Sequence, residues 1–197
     1  MSDVNAILYS SSMREIYPPN TGTYGRPKFI VHSGRLAVLA TAHSSTAGFY
    51  WIINPLANTK NLAVRRIVCR TTTVTALSCP TAPRITIERM TFTGTSSGAV
   101  LTPAKLETAE SAATAIVTTE ITGLTPVADG LVTGFIVPSI MTAVGAGTTV
   151  DQAFIPNISE EIILIPGEGL VIRQADNGTA ADTRIAIVDI VWEEYTR

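Results

Sequence analysis

The segment Arg184-Ile185-Ala186-Ile187-Val188-Asp189-Ile190-Val191-Trp192-Glu193-Glu194-Tyr195 constrains this chain more than any other stretch. Its side chains alternate with a period of two, the period of a β-strand, in which successive side chains point to opposite faces. Ile185, Ile187, Asp189, Val191 and Glu193 share one face; Ala186, Val188, Ile190, Trp192 and Glu194 share the other. Both faces are mostly apolar. Such a segment is expected to be a central strand covered on both sides, so the chain must build sheet around it.

The rest of the sequence supplies that sheet. About one residue in seven is Thr, and Val and Ile are frequent; these β-branched side chains suit a pleated, half-buried surface better than a helix. Lys28–His32, the turn Ser33-Gly34 and Arg35–Thr41 read as a hairpin. Gly48–Ile53 is a strand that ends at Asn54-Pro55, because proline is excluded from a central ladder. Asn61–Ala76 reads as one long strand, or two with a bulge. Arg84–Thr93 alternates, with Ile85 and Ile87 against Thr86, Glu88 and Met90. Residues 94–150 are the least regular part. Thr102-Pro103 suits the start of a short helix over 104–110, or a loop; Ile116–Thr118 and Leu131–Val137 are strand candidates, and 143–149 is a small-residue loop. Glu161–Ile165 and Leu170–Gln174 flank Pro166-Gly167-Glu168-Gly169, a hairpin or corner signal. About nine or ten strands and no convincing long helix predict an all-β fold, a jelly-roll-like antiparallel β-sandwich. Residues 24–197 form that domain. Residues 1–23 show no sustained period and read as an extended N-terminal arm. Its apolar anchors, Ile7, Leu8, Tyr9, Ile16 and Tyr17, are the candidate partner-binding residues, since a solvated tail has no need of them.

Composition narrows the function. Of the residues 46% are hydrophobic and 15% charged, against about 25% charged in an ordinary soluble domain. Few charges suit a protein that covers much of its exterior with partners. The formal net charge of −2 gives no electrostatic case for nucleic acid or an anionic membrane. No basic n-region precedes an apolar core at the N-terminus, and no apolar run is long enough to span a bilayer as a helix. Synthesis in a cytoplasm is therefore expected, with Cys69 and Cys79 as thiols; a disulfide between them would need a hairpin that set them opposite each other.

Catalytic, metal and cofactor residues are not assigned. His32 and His43 are the only histidines, and no His-x-His pair stands beside a glutamate. No Gly-x-Ser-x-Gly elbow, P-loop or dinucleotide fingerprint occurs. Glu160-Glu161 and Glu193-Glu194 are adjacent pairs pointing to opposite faces of a strand; they read as solvated strand ends rather than a catalytic dyad. Arg65 and Arg66 likewise should face opposite sides, which argues against a concerted phosphate patch. Tyr50, Trp51 and Trp192 could stack on sugar, but aromatics at β spacing are more often core. The chain is expected not to be an enzyme.

Several motifs together resemble accessory structural proteins of tailed phages. They are Asn54-Pro55 after an aromatic strand, Arg65-Arg66-Ile67, and Arg84–Gly94. The densest part is Leu164–Gln174, followed by Asp182-Thr183-Arg184 and Trp192-Glu193-Glu194-Tyr195. The resemblance covers most of residues 35–197 and leaves the arm unmatched. It implies a virion protein that is a capsid decoration or cement protein clamping neighbouring shell subunits. The alternative is a head- or tail-fibre module or adhesin that binds a host-surface glycan. It further implies a homo-oligomer, often a trimer, with the major capsid protein or another virion protein as partner, and no active-site residues.

Overall fold

The computed structural model describes residues 26–44, 47–73, 82–97, 99–106, 111–119, 122–136, 148–156, 161–178 and 184–196. The strands are β1 (Lys28–His32), β2 (Leu36–Ala37), β3 (Tyr50–Ile53), β4 (Lys60–Thr73), β5 (Arg84–Ser97), β6 (Val100–Leu101) and β7 (Ala104–Lys105). They continue as β8 (Ile116–Thr118), β9 (Thr122–Ile136), β10 (Thr148–Phe154), β11 (Ile162–Leu164), β12 (Glu168–Gln174) and β13 (Arg184–Thr196). They form two antiparallel sheets packed as a sandwich, and the expected all-β class holds. The first sheet runs β10-β4-β13-β1-β7; β11 pairs β4 beyond β10, and β2 pairs β13 beyond β1. The second runs β6-β8-β3-β12-β5-β9.

Period-two alternation places one side chain in two between the sheets. Phe29, Leu62, Ile67, Val188, Ile190 and Trp192 come from the first sheet, and Tyr50, Ile52, Ile85, Ile87, Leu170 and Ile172 from the second. The ring of Phe29 packs on that of Trp192 at 5.8 Å between centroids. β13 is central, between β4 and β1, as its sequence demands. Its outer face is only half-buried, however, whereas β12 is buried on both faces from Gly169 to Gln174. Full cover on both faces, expected of β13, is instead a property of β12. There Val171 joins Trp51, Ile53, Met90 and Phe92 in a second apolar cluster on the far side of the second sheet.

Four local expectations give way, and one open choice is decided. The pair at 28–41 is not a hairpin: β1 and β2 run in the same direction along β13, His32 opposite Asp189 and Leu36 opposite Ala186. Gly34, at φ 72°, kinks the strand without reversing it. Of the two readings of 165–168, the corner holds: the chain passes there from one sheet to the other and does not fold β12 back on β11. The helix suggested over 104–110 begins instead as β7, with 107–110 outside the described residues. The small-residue loop at 143–149 overlaps β10, which starts at Thr148. Finally, β4 and β13 slip register at Val191/Trp192, so that Arg66 pairs Val191 while Val64 pairs Trp192. Val64 and Ile67 both enter the core, which leaves Arg65 and Arg66 together off it.

The stretch between β5 and β9 positions everything else. It contributes β7 to the first sheet beside β1, and β8 to the second sheet beside β3, with β6 outside β8. One side of the sandwich is thereby closed at both rims by short strands, a common way to blunt an edge. The opposite side has β9 as the rim of one sheet and β10 followed by β11 as the rim of the other.

Candidate interaction surface

The chain enters the described body at its closed side. Arg26 lies over the Tyr195 ring, 4.0 Å from the centroid, and the carbonyl of Pro27 accepts a hydrogen bond from the Glu194 N–H at 3.0 Å. Beside this root, Lys28 and Arg65 both reach Glu193, at 3.6 and 2.6 Å, and Arg65 also pairs with Glu161. Burial opposes the charge of Arg65, and the two carboxylates more than offset it, so its pKa is raised. The bulge explains this geometry, because it brings Arg65 to the face that carries Glu193.

Glu193 and Glu194 are not solvated strand ends. Both are buried. The Glu194 carboxylate accepts hydrogen bonds from the Thr114 N–H at 2.8 Å, the Thr114 hydroxyl at 2.6 Å, the Ala115 N–H at 3.1 Å and the Trp192 indole at 3.3 Å. Lys60 adds a charge at 3.7 Å. A carboxylate can be buried when its lone pairs are satisfied in this way. Here it ties the closing segment, through Thr114 and Ala115, to the central strand β13.

The other residues singled out in the sequence are dispersed. His32 reaches Asp189 at 2.6 Å on the outer face of the first sheet. His43 sits edge-on to Phe49, at 4.4 Å between centroids, and its Nδ1 accepts the Gln174 N–H at 3.0 Å. Its pKa is lowered, first by burial and then by the Arg173 charge. Cys69 is a buried thiol whose pKa burial pushes up to about 12, and Cys79 lies outside the described residues. Among the described residues, no three His, Cys, Asp or Glu side chains gather as metal ligands would. Tyr50, Trp51 and Trp192 are all buried. The arm anchors Ile7, Leu8, Tyr9, Ile16 and Tyr17 lie outside the described residues.

The open side carries what sequence reasoning missed. Val127 and Leu131 on β9, Ile155 just after β10 and Ile165 just after β11 are 59%, 63%, 66% and 44% exposed, and on the closed side Val100 and Leu106 are comparably exposed. Arg89 crosses between the rims, donating to the carbonyl of Ile163 and pairing with Glu168. The only sequence signal for these positions is the pair of Ile-Pro steps, Ile155-Pro156 and Ile165-Pro166, where an apolar residue stands at a strand end. Comparison with known families, curated proteins and solved structures gives no match.

Proposed function

We propose that the chain is a non-enzymatic structural protein of a phage virion, most simply a capsid decoration or cement protein that clamps neighbouring shell subunits. The observation that carries this reading is the strand order. The orders β1-β13-β4-β10 and β3-β12-β5-β9 support a jelly-roll reading, in which β1 would pair with the last strand across two interleaved halves. Jelly rolls serve viral shells, lectins and cupins. Fold alone does not choose among them. The lectin-like alternative, a fibre or adhesin module, loses its sugar platform with Tyr50, Trp51 and Trp192 buried in the body. A shell role fits the 15% charged composition and the exposed apolar residues at the open rims. In this reading the partners are further copies of the chain and the major capsid protein, and the place of action is the particle.

Imaging tests it directly. Particles made with and without this protein should differ by discrete density on the outer shell. Identical shells, with the protein found at a fibre tip or missing from the particle, would overturn the cement reading.

A further inference from the structure

Between β2 on the first sheet and β3 on the second, residues 38–44 run as a strap across the end of β12. Val38 roots it: the side chain is buried, and its N–H donates to the Arg184 carbonyl at 3.1 Å. Leu39 is held next, its N–H and C=O both bonded at 2.7 Å to the carboxamide of buried Gln174. Further on, the Ala42 N–H donates to the Asn177 side chain at 2.8 Å, and the Ser44 carbonyl accepts from Arg173 at 3.2 Å. β3 pairs with β12 only as far as Tyr50 and Ile172, so the Gln174 backbone needs another partner on that edge. His43 supplies it. Its N–H donates to the Gln174 carbonyl and its Nδ1 accepts the Gln174 N–H, each at 3.0 Å. The ring stands in for a strand carbonyl.

We propose that His43 is an acid-released latch: protonation of its ring lifts Ala42, His43 and Ser44 off β12, hinged at Leu39, while both sheets stay folded. The reason lies in the partner. A backbone N–H can only donate, so Nδ1 accepts from Gln174 only while it carries no proton. A proton there would set two donors face to face at 3.0 Å, and the ring has to leave. The charges around the strap do not favour an imidazolium. From β12 comes Arg173, itself a cation, and Glu88 of β5 is already engaged with it at 3.3 Å. Asp176, in the turn after β12, is paired with Arg84 of β5 at 2.7 Å. The strap itself brings no charge, and neither does Phe49, whose ring meets the imidazole edge-on. Burial first and then Arg173 hold the His43 pKa below 6.5, so release belongs to the mildly acidic range beneath that value. Leu39 is bound through amide groups alone, which do not titrate, and that makes it the hinge. Release bares the part of Phe49 that the imidazole covers, together with the backbone N–H and C=O of Gln174.

The test is amide hydrogen exchange of the full chain, followed residue by residue by NMR from neutral to mildly acidic pH. Rates are expressed as protection relative to the unfolded chain at the same pH, which removes the ordinary pH dependence of exchange. As His43 titrates, protection at Ala42, His43 and Gln174 should fall by about tenfold or more, while Leu39 and Leu170 to Ile172 keep theirs. His43→Asn retains a side-chain oxygen as acceptor but does not titrate, so its strap should stay closed at every pH. His32→Asn should leave the response unchanged, because His32 meets Asp189 on the outer face of the first sheet. Strap protection that ignores pH, or that falls in step with Leu170 to Ile172, would overturn the latch. An acid release that persists in His43→Asn would do the same. Should that variant fail to fold, the His43 ring resonance in the unaltered chain decides: opening must follow its titration, and opening at any other pH overturns the proposal.

Discussion

At the scale of single residues, Glu194 shows where sequence reading stops. The pair Glu193-Glu194 looks like a polar strand end, because the neighbouring sequence contains no donors that would justify burying a carboxylate. Those donors arrive from Thr114 and Ala115, about 80 positions away. Only the fold reveals them. Glu194→Ala should leave the N–H groups of Thr114 and Ala115 unpaired and Lys60 without its counter-charge. We expect a loss of about 3–5 kcal/mol, read as a lower denaturation midpoint with unchanged slope. Glu194→Gln should recover little, because its amide presents N–H to donors. His43 offers a test by pH. Its folded pKa is lowered from the ordinary value of 6.5 by burial and by Arg173, so below that value the unfolded chain binds the proton more readily. The stabilisation linked to neutral His43 is complete above 6.5 and is lost as pH falls through the range beneath it. Thermal melts from neutral to mildly acidic pH should show this loss, and His43→Phe should reduce the slope. An unchanged slope would place the linkage elsewhere.

At the scale of elements, long alternating segments were legible and pairings were not. Arg84–Thr93 and Asn61–Ala76 became β5 and β4, the latter with a bulge, because core-facing Ile and Val impose their own period. The segment 28–41 misled, and the turn at 165–168 left hairpin and corner undecided. A Gly or Pro-Gly signal marks a change of direction, but whether the chain folds back, continues past a kink or crosses to the other sheet depends on partners elsewhere. β10 was hidden because Thr148–Phe154 has little alternation of its own and is held by register with β4. Gly169 tests one such close pairing. A Cβ there would lie 2.5 Å from the Ile52 carbonyl and 2.8 Å from the Met90 methyl, at the place where β3, β12 and β5 meet. Gly169→Ala should cost about 1–3 kcal/mol through overpacking. Gly34→Ala is the control: its φ is +72° but nothing lies within 4 Å, so only backbone strain of about 1–2 kcal/mol applies. A loss at Gly169 well under 1 kcal/mol would mean that strands β3 and β12 can part with little penalty.

At the scale of the whole molecule, the class of fold was readable because one segment, β13, alternates almost without a break and nearly every other segment has β character. The order of strands was not readable, since it follows from contacts between residues far apart in sequence. The arm proposed for residues 1–23 belongs to this scale too, because apolar anchors there would act on a second body. Ordering costs about 1–2 kcal/mol per residue fixed, so burial of Ile7, Leu8, Tyr9, Ile16 and Tyr17, at roughly 1.5–3 kcal/mol each, offsets it only where little beyond these anchors is fixed. The most direct measurement compares the full chain with a version lacking residues 1–23 for binding to particles that lack this protein, and then for the heat resistance of those particles. The account predicts that the shortened chain keeps its β spectrum, binds at least tenfold more weakly, and leaves the particles as fragile as bare ones. Equal binding and equal heat resistance would contradict it.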